Sequence, residues 1–154
     1  MKKAIILYDS LYGNTRKVAM SLTRGLESGG VYVDVIPIQD FEMNQLNNYE
    51  FIGIGGPTHF HGASKPMKSF LSKIEHLILK NKVGFAFETK ADFKFSGSAA
   101  KHIVRSLKQM NIRVIHPIIT GIVLNKEGPL EDSTSSSIEQ IGLSISEKMN
   151  SKVN

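Results

Sequence analysis

Ser10, Gly13, Asn14 and Thr15 crowd together in the stretch "DSLYGNT", where an apolar run gives way to a helical pattern. Each of these types has something to offer an anion. Gly13 lets the backbone turn sharply. Asn14 or Thr15 can open the helix, whose first-turn N–H groups point back toward the preceding strand and, with the helix dipole, favour negative charge. The hydroxyls of Ser10 and Thr15 and the amide of Asn14 add further donors. No Lys or Arg lies inside the loop, although Arg16 and Lys17 follow it. A phosphate here would be held almost wholly by neutral groups. The sequence has no G-x-x-x-x-G-K-[ST], and no G-x-G-x-x-G in its first strand–helix turn. A single terminal phosphate therefore fits better than a dinucleotide. Ser, Asn and Thr are also the usual helix caps, so the loop by itself leaves the two readings level.

Two later stretches carry unusual chemistry. In "GGPTHFHGASKPM", Pro57 and Thr58 set the direction of the chain. His59, Phe60 and His61 present flat side chains, and Gly62 frees the backbone. His59-x-His61 could begin a metal site, but no suitable third ligand lies nearby, so no metal is assigned. The two histidines could equally be solvent-exposed and nothing more. In "FETKADFKFSG", Glu88, Thr89 and Lys90 leave a strand, Asp92 follows, and Phe93 and Phe95 stand two residues apart. Those phenylalanines can form a flat wall or simply fill the core.

The surrounding elements alternate. "KAIILY" is an apolar strand, and Val18, Ala19, Leu22 and Leu26 then share a helical face that Gly29 and Gly30 end. "VYVDVIPI" reads as a strand exposed on one side, at a sheet edge. "FIGIGG" is apolar on both faces, as a central strand should be. Met67, Phe70, Leu71, Ile74, Leu77 and Ile78 follow at helical spacing. "KVGFAFE", the helical face of Ala100, Ile103, Val104 and Leu107, and the strand region "IRVIHPIITGIVL", broken by Pro117, come next. Ile138, Ile141, Ile145 and Met149 make the last helix, entered through the polar cap "DSTSSS". "QDFEMNQLNNYE" has room for a short irregular helix. Strands apolar on both faces belong in a parallel sheet covered by helices on both sides, and right-handed crossovers make it doubly wound. Ligands of such α/β sheets sit beyond the carboxyl ends of the strands. Loops 9–15, 57–64 and 88–96 leave those ends.

Composition narrows the chemistry. The 154 residues suit one domain with a proper core. There is no cysteine, which removes disulfides, thiolate metal sites, iron–sulfur clusters and thiol catalysis. A redox role would need a bound organic cofactor. The net charge of +5 comes from scattered lysines, without the Arg-rich runs or aromatic motifs of RNA binders, so no nucleic acid is expected. No apolar run reaches the ~20 residues of a membrane span. "MKKAIILY" lacks a following cleavage site and reads as the first strand, so a cytoplasmic protein is expected.

With the elements in order, "SLYGNT" at 10–15 resembles the flavodoxin phosphate loop, T/S-x-T-G-x-T, which binds the phosphate of flavin mononucleotide (FMN). Ser10, Gly13, Asn14 and Thr15 match. Tyr12 stands where flavodoxins commonly have Thr, and it keeps its backbone N–H; Leu11 completes the loop. The resemblance extends over the whole chain. It implies a flavodoxin-like doubly wound three-layer α/β sandwich over 1–154, with a five-stranded parallel sheet in the order 2-1-3-4-5. It implies that His59 or Phe60 contacts the flavin ring, and that the peptide at or near His61–Gly62 flips to bond flavin N5. It also makes the loop 88–96 the second wall, with Phe93 the stacking candidate. The function implied is an FMN-binding carrier passing one electron at a time, without a substrate of its own. Its expected partners are redox proteins, and it is expected to be a monomer.

One departure from the family concerns charge. Lys65, Lys68, Lys90 and Lys94 lie on or near the ring loops, against Glu88 and Asp92, where flavodoxins are usually acidic. Such cations ease formation of an anionic reduced flavin and steer acidic partners. Three rivals remain. One is an FMN-dependent NAD(P)H:quinone-type reductase, a class whose members are usually oligomers and of which many use extra segments to build a substrate pocket. A signalling receiver domain would need an acceptor Asp at the end of the third strand, where Gly55 and Gly56 stand. A binding module without flavin is the third.

Overall fold

The computed structural model describes residues 2–59, 62–92 and 97–151. The strands are β1 (Lys3–Tyr8), β2 (Tyr32–Pro37), β3 (Phe51–His59), β4 (Gly62–Ala63), β5 (Val83–Ala91), β6 (Arg113–Val114) and β7 (Ile119–Val123). The helices are α1 (Asn14–Ser28), α2 (Lys65–Ile74), α3 (Ala99–Gln109) and α4 (Thr134–Asn150). The main sheet runs β2-β1-β3-β5-β6, with β7 continuing beside β5. All of these pairings are parallel. Counted by position, this is the expected order 2-1-3-4-5.

Two details explain why seven strands are named where five were expected. β4 is a two-residue return that pairs antiparallel with the end of β3. β6 and β7 are the halves of one broken fifth strand. Val83 pairs with Arg113 and Phe87 with Ile119, so β5 advances four residues while its neighbour advances six. Two extra residues bulge out in the segment containing Pro117, which has no N–H to give the ladder.

Side-chain alternation divides the core. Ile5, Leu7, Ile52, Ile54 and Ala86 pack with Met67, Leu71, Ile74, Ile103 and Leu107 of α2 and α3. Ala4, Ile6, Phe51, Phe85 and Phe87 pack with Val18, Leu22, Leu26, Ile138 and Ile145 of α1 and α4. On that second face Gly53 and Gly55 of β3 lie opposite Phe85 and Phe87 of β5. A Cβ at Gly53 would sit 2.5 Å from the Phe85 ring, and one at Gly55 2.2 Å from Phe87. The glycines of "FIGIGG" therefore make room for two rings. Phe51, Phe85 and Phe87 then follow one another with centroids 5.5 and 6.2 Å apart.

Other expectations need amendment. α2 stops at Ile74, with Glu75 as its C-cap. Leu77 turns back, its N–H donating to Ile74 O, and Ile78 is 68% exposed. Leu79 N–H then bonds Met110 O at the end of α3, which draws the chain away from the helix axis. "QDFEMNQLNNYE" forms a 3-10 turn over Met43–Asn48 that buries Leu46. Ser133, before α4, has φ 63° and makes no side-chain cap bond. β2 is an edge strand, as expected, but most of it is half-buried instead of alternating. Gly29 does cap α1, and Gly30 follows with φ 87°.

Two outcomes follow. Gly55→Ala should cost about 1–3 kcal/mol in urea unfolding, the usual range for overpacking; an unchanged midpoint would refute the ring–glycine fit. Tyr49 donates its hydroxyl to Asp34 Oδ2 at 2.6 Å, and burial, helped by Asp34, pushes its phenol up from 10.0 to about 12. The raised folded value means this contribution to stability is complete below the ordinary pKa and is lost as pH rises through about 12. Asp34→Asn should move the tyrosinate absorbance transition of Tyr49 downward.

Candidate functional site

Four loops leave the carboxyl end of the sheet, and polar side chains lace them together. Alternation along β5 decides which side each bond takes. Thr89 faces α1, where its hydroxyl meets that of Thr15 at 2.8 Å. Glu88 faces the other way, toward α3, and is buried. Asp9, after β1, donates its N–H to Gly55 O and accepts a hydrogen bond from the Ser64 hydroxyl. Ser64 also caps α2 through Met67 N–H. The fourth loop, 124–133, was not foreseen as part of the site. Leu130 bridges back to Val123, and Asn14 Nδ2 donates to Glu127 O at 3.1 Å.

The phosphate-loop geometry is specific. Gly13 is the N-cap of α1 with φ 87°, a left-handed conformation that glycine adopts without strain. The Ser10 hydroxyl accepts from Gly13 N–H at 3.1 Å and from Arg16 N–H at 3.4 Å. Ser10 thus shapes the loop from within. Among the described residues, no acceptor is found for the backbone N–H groups of Leu11, Tyr12, Asn14 and Thr15. The first turn of α3 is different. Ala99 N–H bonds the Thr58 hydroxyl, Ala100 N–H bonds Glu88, and Lys101 N–H bonds Ser98. One helix start is filled by the chain itself; the other is open.

The open start faces a cleft of about 550 Å³, within the usual range for small-molecule sites. Of the expected residues, Ser10, Leu11, Tyr12, Asn14 and Thr15 line it, with Pro57, Thr58 and His59 from β3 and Thr89 and Lys90 from β5. Gly13 shapes the loop without lining the cleft, and Gly62 lies in β4. Glu88 does not line it, because its side chain is turned under the sheet edge. Asp92 is exposed and also lies off the cleft. Phe60, His61 and Phe93, and with them the His61–Gly62 peptide, lie outside the described residues, as does Lys94. Lys65 and Lys68 are exposed on α2 and do not reach the cleft.

Ala91, inside the loop 88–96 but not singled out in the sequence, also lines the cleft, as do Val123 and Lys126, which sequence reasoning missed. One signal was available for the last two. "GIVLNKEGPLED" leaves the fifth strand at the same end as the other three loops, and its Gly-Pro marks a tight turn. No Asp or Glu lines the cleft among the described residues, whereas two lysines do. Lys90 Nζ donates to Gly97 O at 3.4 Å.

The class defined so far is an open parallel α/β sheet with a cleft at its strand ends and a free helix N-terminus facing it. Residues 5–111 match the family model described as Flavodoxin domain, and the chain belongs to that family, whose proteins bind FMN. The structure of a flavodoxin from the domain Archaea superposes with a TM-score of 0.80 at 27% identity, covering 96% of this chain and 99% of that one. An NAD(P)H dehydrogenase (quinone) of Acidovorax ebreus is 31% identical over 115 residues, covering 59% of this chain and 58% of the relative. A flavodoxin of Clostridium saccharobutylicum is 32% identical over 88 residues, covering 56% of this chain and 55% of that protein. The chain thus spans under two thirds of the length of these curated relatives. No helix among the described residues is long and apolar enough to cross a membrane.

The Asn14–Glu127 bond should matter locally. Asn14→Ala should cost about 1 kcal/mol and speed amide exchange of Leu124 and Gly128, with the β1 amides unchanged. Equal protection in the variant would mean that the hairpin holds itself.

Proposed function

We propose that this chain binds FMN and carries electrons, one at a time, between redox protein partners. The observation that supports this most is the contrast between its helix starts. α3 is sealed by Thr58, Glu88 and Ser98, while α1 presents open amides to a cleft. The donor set fits a terminal phosphate: main-chain N–H groups at a helix start, with no cation inside the loop. Leu11, Tyr12, Asn14 and Thr15 would hold that phosphate. Pro57, Thr58, His59, Thr89, Lys90 and Ala91 border the rest of the cleft and would hold the flavin ring. When bound, FMN supplies the electron chemistry.

The protein's part is binding and electrostatics. Apolar and half-buried walls exclude water, which makes charge on the ligand costly. Lys90 and Lys126 offset that cost, and among the described residues no cleft carboxylate opposes them. Leu11 and Tyr12, which line the cleft, are 64% and 43% exposed and give its mouth an apolar edge. Lysines around such a rim suit an acidic partner, and association should slow as salt rises.

The relatives named NAD(P)H dehydrogenase (quinone) make a reductase the second reading. Steady-state NAD(P)H consumption with a quinone by the FMN-loaded protein would favour it over the carrier.

Calorimetry of the flavin-free protein with FMN should give one site per chain. Gly13→Ala should weaken it, since φ 87° strains any other residue. No heat of binding for the unaltered protein would end this proposal. Replacing Lys90 and Lys126 together by Gln should move the lower midpoint potential of bound FMN to more negative values in a redox titration.

A further inference from the structure

Glu88 is a buried ionisable side chain, 1% exposed, that the proposed chemistry does not use. Its oxygens are nonetheless fully engaged. Oε1 accepts from the Thr58 hydroxyl at 3.3 Å, the Ser98 hydroxyl at 2.7 Å and Ala100 N–H at 3.2 Å. Oε2 accepts from the Thr120 hydroxyl at 2.9 Å. The donors come from the end of β3, the start of α3 and the edge strand β7. A buried carboxylate is tolerated only when its acceptors are satisfied, so the four donors hold Glu88 and Glu88 holds them.

The consequence lies in what those donors are attached to. Thr58 lines the cleft and precedes the turn into β4, while Ser98 and Ala100 fix where the chain re-enters after the loop that follows β5. Of these donors only Thr58 lines the cleft among the described residues, and its hydroxyl is tied both to Glu88 Oε1 and to Ala99 N–H at the start of α3. The α1 loop has separate anchors, namely Ser10, Thr89 and Glu127. We propose that Glu88 is a positioning residue: its carboxylate pre-sets the ring side of the cleft and leaves the phosphate side untouched. This rests on the FMN reading above and adds to it the residue that holds half of the site in place. Pre-setting a site raises affinity by removing the cost of ordering it on binding.

The substitutions that test this are Glu88→Met and Glu88→Gln. Met fills similar space and offers only a weakly accepting thioether, so Thr58, Ser98 and Ala100 lose their common carboxylate acceptor. Gln keeps one carbonyl oxygen for those three donors, and its NH2 can donate to the Thr120 oxygen. Three ligands are titrated well below each variant's unfolding temperature: FMN, riboflavin as the ring probe and inorganic phosphate as the probe of the α1 loop. Glu88→Met should weaken FMN and riboflavin by a similar factor, about tenfold or more, with phosphate binding unchanged. Glu88→Gln should stay within about threefold of the unaltered protein for all three.

A purely structural role would lower the melting temperature of Glu88→Met and leave riboflavin affinity of the folded protein intact; that result overturns the proposal. Equal losses for riboflavin and phosphate also overturn it. If Glu88→Met does not fold, Thr120→Val removes the Oε2 donor alone and should give the same ring-selective loss, about fivefold. No such loss there counts against the proposal. Unaltered protein that binds neither FMN nor riboflavin refutes the FMN reading itself, and this inference falls with it. Flavin binding that is insensitive to Glu88→Met refutes only the role given to Glu88.

Discussion

The close approach of β3 and β5 underlies everything at the strand ends. Gly53 and Gly55 leave no side chain on the α1 face, and the rings of Phe85 and Phe87 occupy the space. A slip by one residue would drive a ring into a neighbouring Ile and turn every side chain to the wrong face. Register is therefore fixed by volume. It places Gly56 beside Glu88 and Pro57 beside Thr89, so Thr89 is delivered to α1 and Glu88 to α3.

From that register follows the difference between two helix starts that look alike in principle. Both sit at the carboxyl end of a parallel sheet, and both carry a dipole that favours negative charge. α3 receives its anion from the chain, because Glu88 reaches it within hydrogen-bond distance. α1 receives hydroxyls of Ser10 and Thr89 at its margins, while the backbone N–H groups of Asn14 and Thr15 meet no acceptor among the described residues. An anion-binding cleft and a self-satisfied helix cap can thus lie side by side on one sheet edge. The charge balance reinforces the distinction. Lys90 and Lys126 border the open side, and the nearest strand carboxylate, Glu88, is consumed below it.

The α/β class, the anion-loop candidate and the apolar helix faces were legible in the sequence, because each rests on local periodicity or on residues a few positions apart; the strand order came only with the resemblance to flavodoxins. Val18, Leu22 and Leu26 needed only their spacing to declare a buried face, and Gly13 needed only its neighbours to suggest a turn into a helix. The buried face of α4 was likewise marked by the spacing of Ile138, Ile145 and Met149. Tertiary structure alone decided the rest. That Glu88 turns away from the cleft, that Lys126 enters it, that Ile78 is exposed and that β6 and β7 are offset by two residues all depend on segments far apart in the chain. The physical reason is that a side chain's role at a strand end is set by which neighbour its face meets, and that neighbour is chosen by register and crossover and not by adjacent residues.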